Sequence, residues 1–417
     1  MGRRGFNVCL IRKERLRRAS AVGEPGRRRN HEGTLHAVLA RVLTDIDSLE
    51  QFAPGWDALA VSHRRPRSAP VFTLAWYRHA LPPGAQIRAI VVTDGDSVVG
   101  AAPFYVVRTG FGFYQYNMPV PLLFGVEPLF VAGREEEIAA AVGLALTQGQ
   151  PVPDMVFLDS LPQGSPWPTF IRQGWPRPQP TLVTPHSFPW PHVHLADGGF
   201  DAWLQGRSGD FRKNFRSSHR KLQAAGFEYR GSIDGRDITD RIPDFRRLYE
   251  ARRARRHGAG PAFDDAFTAI VTEAAKTLSG TGRLRLATIE RPGEVIAANL
   301  IVSAGGHASG WYMGFADAWA RLSPSFVCIV LSIQDVAQGG GTTYDLGAGA
   351  YAQKSRFTDD QPIFESSLLV RRGLRPLHTP VQVVPFHARK AMGRFLGRLR
   401  SLSTGRPAGG RNRNPDE

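Results

Sequence analysis

Two cysteines in 417 residues cannot build a disulfide framework. Cys9 lies in a basic N-terminal stretch and Cys328 in an apolar run. The pair points to a reducing compartment, with Cys328 a small buried hydrophobe rather than a nucleophile. No run of membrane-spanning length is present either: the most apolar stretch, Phe326 to Ala337, is short and carries Gln334 and Asp335. Met1-Gly2-Arg3-Arg4-Gly5-Phe6 lacks the Ser or Thr of a myristoylation signal and the apolar core of a secretory one. Metal-ligand spacing is almost absent. Pro191-His192-Val193-His194 puts two histidines on one face of an expected strand, but no carboxylate or thiol pattern lies nearby, so the reading is no metal.

What is abundant is positive charge, formally +16, and its location decides its meaning. Residues 1–33 hold ten Lys/Arg against three Asp/Glu, and residues 371–417 hold eleven against two. These net charges of +7 and +9 leave the body of the chain neutral. Basicity confined to two tails argues against a domain built around a nucleic-acid groove. The N-terminal tail reads as a disordered extension, or as the product of a start codon placed too early.

Along the chain, Leu35–Val42 reads as a strand, followed by helices over Leu49–Ala60 and Thr73–Ala80. Ile87–Val92 and Val98–Val107 form a hairpin about Asp94-Gly95-Asp96. The Gly-, Pro- and aromatic-rich passage Gly110–Pro128 leads to a helix over Arg134–Gln148 and a strand at Met155–Leu158. Pro151–Pro191, dense in Pro and Trp, is the natural seam. Beyond it, Phe200–Ala225, Asp240–Arg256 and Phe263–Leu278 read as helices. The first sets Phe211, Phe215 and Leu222 beside Arg212, Lys213, Arg216, Arg220 and Lys221. Its basic face suits plain solvation, a clamp for phosphates, or an anionic lipid or polymer surface.

The chain is organised around Arg283–Phe357. A hairpin turns at Arg291-Pro292-Gly293-Glu294, with Val295–Val302 as its apolar second strand, and Gly310–Met313 is a third strand. Ser323-Pro324 then opens a helix that has almost no polar face until Gln334 and Asp335, with Ser at the N-cap and Pro at the first helical position. Gly339-Gly340-Gly341 ends it and Thr342–Leu346 is a further strand. The earlier half repeats the order hairpin, insert, helix, strand, so the architecture is a tandem of two α+β units without residue-level repetition. The expected divisions are 1–33, 34–190, 191–370 and 371–417. The last of these carries a strand-free basic amphipathic helix at Val381–Leu402, preceded by a final strand at Ile363–Val370.

This order resembles the GNAT acyltransferase fold, in particular the CelD/BcsL-type acetyltransferases, which are related to Fem-type peptidyltransferases that add amino acids to peptidoglycan. The residues that carry the resemblance are Ile296-Ala297-Ala298, Leu322-Ser323-Pro324-Ser325, Tyr344-Asp345-Leu346-Gly347 and Gly349-Ala350-Tyr351-Ala352-Gln353-Lys354, with Phe211-Arg212-Lys213-Asn214-Phe215-Arg216 upstream. Ser325 stands where the family usually has Gly, and Ala352-Gln353 separates Tyr351 from Lys354 where the two are often adjacent. The resemblance implies acetyl-CoA or another acyl-CoA as co-substrate and no metal. Its pyrophosphate is expected at the helix tip Ser323, Pro324, Ser325 and Phe326, with Arg321 and Leu322 beside it and Tyr312 lining the neighbouring strand. Asp317 and Asp345 are the carboxylates nearest the junction, Tyr351 suits proton donation to sulfur, and Lys354 suits a phosphate or carbonyl oxygen. Arg212, Lys213, Asn214 and Arg216 fall on the substrate side.

The leading expectation is an acyl-CoA-dependent N- or O-acetyltransferase acting on a small-molecule or saccharide acceptor of the cell envelope or an exopolysaccharide. Fem-like aminoacyl transfer from tRNA is a second reading, and a catalytically silent membrane-surface binding protein a third. A cytoplasmic location is expected, or a peripheral one at the inner membrane face through contact of the C-terminal basic helix with anionic lipid. Nucleic acid is not the expected partner in the leading reading.

Overall fold

The computed structural model describes residues 8–10, 38–109, 112–120, 126–195, 198–256, 264–349 and 352–373, excepting the side chains of 8–10, 252–256, 311 and 312. The proposed helix at 381–402 lies outside them. Two similar layered units follow one another. The first runs from strand Leu39–Leu43 through helices Ala53–Ser62 and Pro70–His79 to the hairpin Ala89–Asp94/Ser97–Ala102, then helix Glu135–Gln148 and strand Met155–Pro162. The second runs from strand Glu228–Ser232 through helices Gly235–Arg256 and Asp265–Thr277 to the hairpin Leu284–Arg291/Glu294–Ala304. Strand His307–Phe315, helix Pro324–Gln338 and strand Thr343–Asp345 complete it.

In the second unit the sheet order is His192–His194, Thr343–Asp345, His307–Phe315, Glu294–Ala304, Leu284–Arg291, Glu228–Ser232. Its one parallel pair joins His307–Phe315 to Thr343–Asp345. The first unit divides its strands between two sheets. The division falls at Pro103: the expected strand Val98–Val107 breaks there, because proline cannot donate to the ladder. Ser97–Ala102 stays with Ala89–Asp94, while Tyr105–Arg108 joins Tyr114–Asn117 in the other sheet.

Helix Pro324–Gln338 is apolar nearly all round because it is enclosed. Val327, Cys328, Val330, Ile333 and Val336 pack on Ile296, Ala297 and Ile301 of the sheet. A second core runs without interruption across both units, uniting Leu43, Phe72 and Trp76 with Ile270, Leu286 and Leu300. Arg283 adds a forked ion pair to Asp57 at 2.5 and 2.9 Å. Gly305 closes the same seam: it has φ +57°, and a Cβ there would fall 2.1 Å from the Val61 carbonyl.

One strand from within residues 191–370 is given back to the first unit. Ile363–Val370 is bonded between Thr181–Pro189 and Met155–Pro162, in a sheet of the first unit. His192–His194 stays with the second unit and pairs with Thr343–Asp345. The Pro- and Trp-rich seam is also structured, holding helix Trp167–Gly174 and strand Thr181–Pro189; Pro168 sits at a helix start, where a missing N–H is harmless. The expected helix Phe200–Ala225 is two, Gly199–Gln205 and Gly209–Ala224, because Ser208 caps the second by accepting from Phe211 N. Within the segment read as a disordered tail, Val8–Leu10 pairs with Leu39–Leu43, since β-forming residues meet an available sheet edge.

Candidate functional site

The parallel pair has three rungs: His307 opposite Thr343, Ala308 opposite Tyr344, and Ser309 opposite Asp345. Past Asp345 one strand ends, whereas the other continues to Phe315. An extra residue, Trp311, bulges the continuing strand between Gly310 and Tyr312. The strands therefore part. The turn at the parting is pinned from two sides: Gly347 N donates to Asp345 Oδ1 at 2.5 Å, and Lys354 Nζ donates to the carbonyls of Gly347 at 2.8 Å and Ala348 at 2.7 Å.

Helix Pro324–Gln338 begins beside this opening. Ser323 is its N-cap residue but holds a left-handed conformation, φ 51° and ψ 50°, and its side chain caps nothing. The expected Ser cap is therefore not formed. First-turn N–H groups have no intrahelical acceptor, and this first turn contains no acid to neutralise the positive dipole end. Arg321 and Ser323 are exposed, Leu322, Ser325 and Phe326 are half-buried, and Pro324 is buried. Phe326 stacks edge-on with Phe211 at 4.9 Å and Phe357 at 5.7 Å, which brings the start of the basic helix Gly209–Ala224 to the tip. Arg356 lies over Phe326 at 5.4 Å, and Arg207 donates to the Phe357 carbonyl. The tip is part-exposed, carries no acid in its first turn and has guanidinium groups beside it.

Tyr344 and Asp345 point to opposite faces, as alternation requires. Tyr344 faces the helix, where its hydroxyl accepts from Asn299 Nδ2 at 2.8 Å. Asp345 faces the junction of the two units and is 2% exposed. It accepts from Trp190 Nε1, from Ser309 Oγ at 2.7 Å and from Gly347 N. Burial alone would raise this carboxyl; the facing His307 ring and the Arg67 guanidinium instead hold it well below the usual carboxylate range. So acidic a group is a poor general base. Its bonds fit it to hold the turn, a correction to its expected role in proton abstraction. Burial drives His192 down to about 4 against the pull of Asp345.

Asp317 is half-buried on the 3-10 turn Asp317–Leu322. Lys354, committed to two carbonyls, is a clamp of the turn rather than a phosphate ligand. Tyr351 lies outside the described residues. Tyr312 stands opposite Leu300, and its side chain is outside the described set. Lys213, Asn214 and Arg216 are exposed, while Arg212 is half-buried and bonds the Gln205 carbonyl. Burial pushes the Cys328 thiol up to about 12, which leaves it inert. Sequence reasoning missed Arg67, Trp190, His307, Ser309 and Arg356. Arg67 comes from the first unit and stacks on Trp190 at 4.0 Å. No local spacing could have announced that contact, although a His following the Gly305-Gly306 turn was a weak signal for His307.

Two α+β units, one of which has central strands that run parallel and then part beside a helix tip, define a tandem GNAT-like fold. Within it, residues 209–355 match the family described as the Acetyltransferase (GNAT) domain. Among solved structures, the chain is similar to FemX, at 11% identity and TM-score 0.56, over 78% of this chain and 97% of that one. It is also similar to the C-terminal domain of a protein assigned as a lysylphosphatidylglycerol synthetase from Agrobacterium fabrum: 11% identity, TM-score 0.51, over 81% and 96%. A conserved protein of unknown function from Bacteroides thetaiotaomicron aligns at 10% identity and TM-score 0.50, over 79% and 100%. At such identities the likeness is one of fold. No curated protein matches the sequence. Among the described residues no helix is long and apolar enough to cross a membrane.

Proposed function

We propose that the protein is an acyl-CoA-dependent N- or O-acyltransferase that uses the opening between His307–Phe315 and Thr343–Asp345 of its second unit. The observation that carries this reading is the open, acid-free tip of helix Pro324–Gln338 beside two parting strands. The pyrophosphate would rest on the Ser325 and Phe326 amides, with Arg321 and Arg356 supplying charge. The acyl group would lie between the strands, against a turn that Asp345 and Lys354 hold fixed before substrate arrives; a preset backbone of this kind lowers the barrier by positioning. Asp317 would take the proton of the attacking amine or hydroxyl, and Tyr351 would return one to the departing thiolate. The acceptor we propose is an amine or sugar of the cell envelope or an exopolysaccharide, in line with the CelD/BcsL resemblance. The C-terminal half, 191–370, would carry the chemistry.

Titration with acetyl-CoA in a calorimeter tests the reading. Saturable binding that Ser325→Trp removes supports it, and absence of binding overturns it. The exposed basic residues of helix Gly209–Ala224, and fold similarity to FemX and a lysylphosphatidylglycerol synthetase, favour aminoacyl transfer from tRNA as the second reading. Thermal stabilisation by charged tRNA but not by acetyl-CoA would select it. Stabilisation by neither, with binding to anionic vesicles that requires residues 374–417, would select a silent membrane-surface protein.

A further inference from the structure

The face of the second sheet that meets the first unit carries a side-chain cluster of which only Asp345, through the turn it holds, also serves the proposed transfer site. His192 stands directly opposite Asp345 in an antiparallel pair. Ser309 stands opposite Asp345 in the parallel pair, and His307, two residues before it, shares that face. One ligand-type atom from each of His192, His307 and Asp345 lies within 4.8 Å of the others. The three side chains line a cavity of ≈ 20 Å³ between the units, large enough for one ion or water.

We propose that His192, His307 and Asp345 bind a divalent transition-metal ion of the zinc type, with an open position facing the cavity. Three features support this. First, Asp345 is already oriented as a ligand carboxylate is. Trp190 Nε1 and Gly347 N donate to Oδ1 and Ser309 Oγ donates to Oδ2, so Oδ2 is the less occupied oxygen. Second, His307 Nε2 and Asp345 Oδ2 are 3.8 Å apart, beyond hydrogen-bond reach yet close to the separation of two atoms on one ion. Third, Ser160 lines the same cavity at 3% exposure and φ +56°, and its Oγ has no hydrogen-bond partner among the described residues. A water on the open coordination position would give it one. Two imidazoles and one carboxylate with an open position suit zinc and neighbouring first-row ions rather than magnesium or calcium. Arg64, Arg65 and Arg67 line the cavity too; Arg65 is paired with Glu127, but the buried Arg67 charge opposes a cation, so the site is weaker than the ligands alone would make it.

The test is titration of chelator-treated full-length protein with Zn2+ by calorimetry, and with Co2+ by visible absorption. One equivalent should bind per chain, and Co2+ should give the absorption of a site with nitrogen and oxygen ligands. His307→Ala and His192→Gln should abolish stoichiometric binding, and Ser309→Ala should weaken it about 10- to 100-fold. Arg67→Gln should tighten it. His194→Ala should change nothing, because His194 is exposed and pairs with Asp360. No stoichiometric binding by the wild type overturns the proposal whatever the variants do. Binding that survives His307→Ala but is lost with His194→Ala also overturns it, by showing an adventitious surface histidine. Inorganic phosphate that binds the wild type and is lost in Arg67→Gln, with no metal uptake, would mark the cavity as an anion site and overturn the proposal equally.

Discussion

The two units make the same parallel strand pair and finish it differently. In the first unit the rungs run from Gln115 opposite Met155 to Asn117 opposite Phe157; in the second they end at Ser309 opposite Asp345. One closing rung carries an aromatic ring, the other a buried carboxylate with three donors. The helix tips differ in the same sense. Glu135–Gln148 opens with Glu135, Glu136 and Glu137, and Glu135 accepts from Gly133 N, so its dipole end is met by its own acids. Pro324–Gln338 opens with none. An anionic ligand would be repelled at the first tip and attracted at the second. Duplicated architecture therefore leaves one unit with an acid-free helix tip, and the other supplies Arg67 and Glu127 to the junction between them.

The sharpest way to break this contrast is at the closing rung. Asp345→Asn should destabilise the fold by on the order of 3–5 kcal/mol, because it turns an acceptor toward three fixed donors into a partial donor and strands the buried Arg67 charge. Phe157→Leu on the corresponding rung should cost only about 1 kcal/mol. Similar urea midpoints for the two variants would erase the distinction. Next comes pH. His192 has its folded pKa lowered to about 4, so below its ordinary value of 6.5 the unfolded chain takes up a proton that the folded one refuses. Stability of metal-free protein should therefore be full above pH 6.5 and fall on the order of 3 kcal/mol toward pH 4. The groups facing His192 are Asp345, His307, Asp360 and His194. Asp345, being held low, retains its charge through that window. Denaturation curves for His192→Gln should be flatter over this range; an unchanged slope would assign the acid loss elsewhere.

At the tips, Ser325→Trp should lower kcat/KM with acyl-CoA by about 100-fold, roughly 2.7 kcal/mol, while Glu136→Trp in the first unit leaves it unaltered. Equal losses would mean that both tips, or neither, serve the ligand. Lys354→Ala removes two bonds to the pinned turn and should cost about 1–2 kcal/mol, with faster amide exchange at Gly347 and Ala348 as the local readout. The smallest effect is expected where the units meet: Arg283→Ala should cost about 1 kcal/mol, the range for a half-exposed ion pair, in thermal unfolding.

Much of the second unit was legible because its signals are local. The turn Pro292-Gly293, the Ser-Pro helix start and the triple glycine at its end each act within a few residues, and the observed boundaries, 284–291, 294–304 and 324–338, fall on them. The first unit was harder to read, because Pro103 divides one apolar run between two sheets and the strand of the Pro- and Trp-rich seam pairs with Ile363–Val370, far along the chain. Asp345 could be picked out as a carboxylate near the junction, but two of its three hydrogen bonds come from residues 155 and 36 positions away, and these make it a fixed acceptor. His192 was weighed with His194 on spacing alone, whereas its cavity neighbour is His307.

By itself the sequence determined the layered α+β pattern and the apolar helix that begins at Pro324. Periodicity, caps and turn residues are properties of neighbours along the chain. Only the tertiary structure decided which strands change units, which charges meet at the junction, and which carboxylate is too well bonded to act as a base. Those outcomes depend on burial and on contacts between residues far apart in sequence, and no local pattern encodes them.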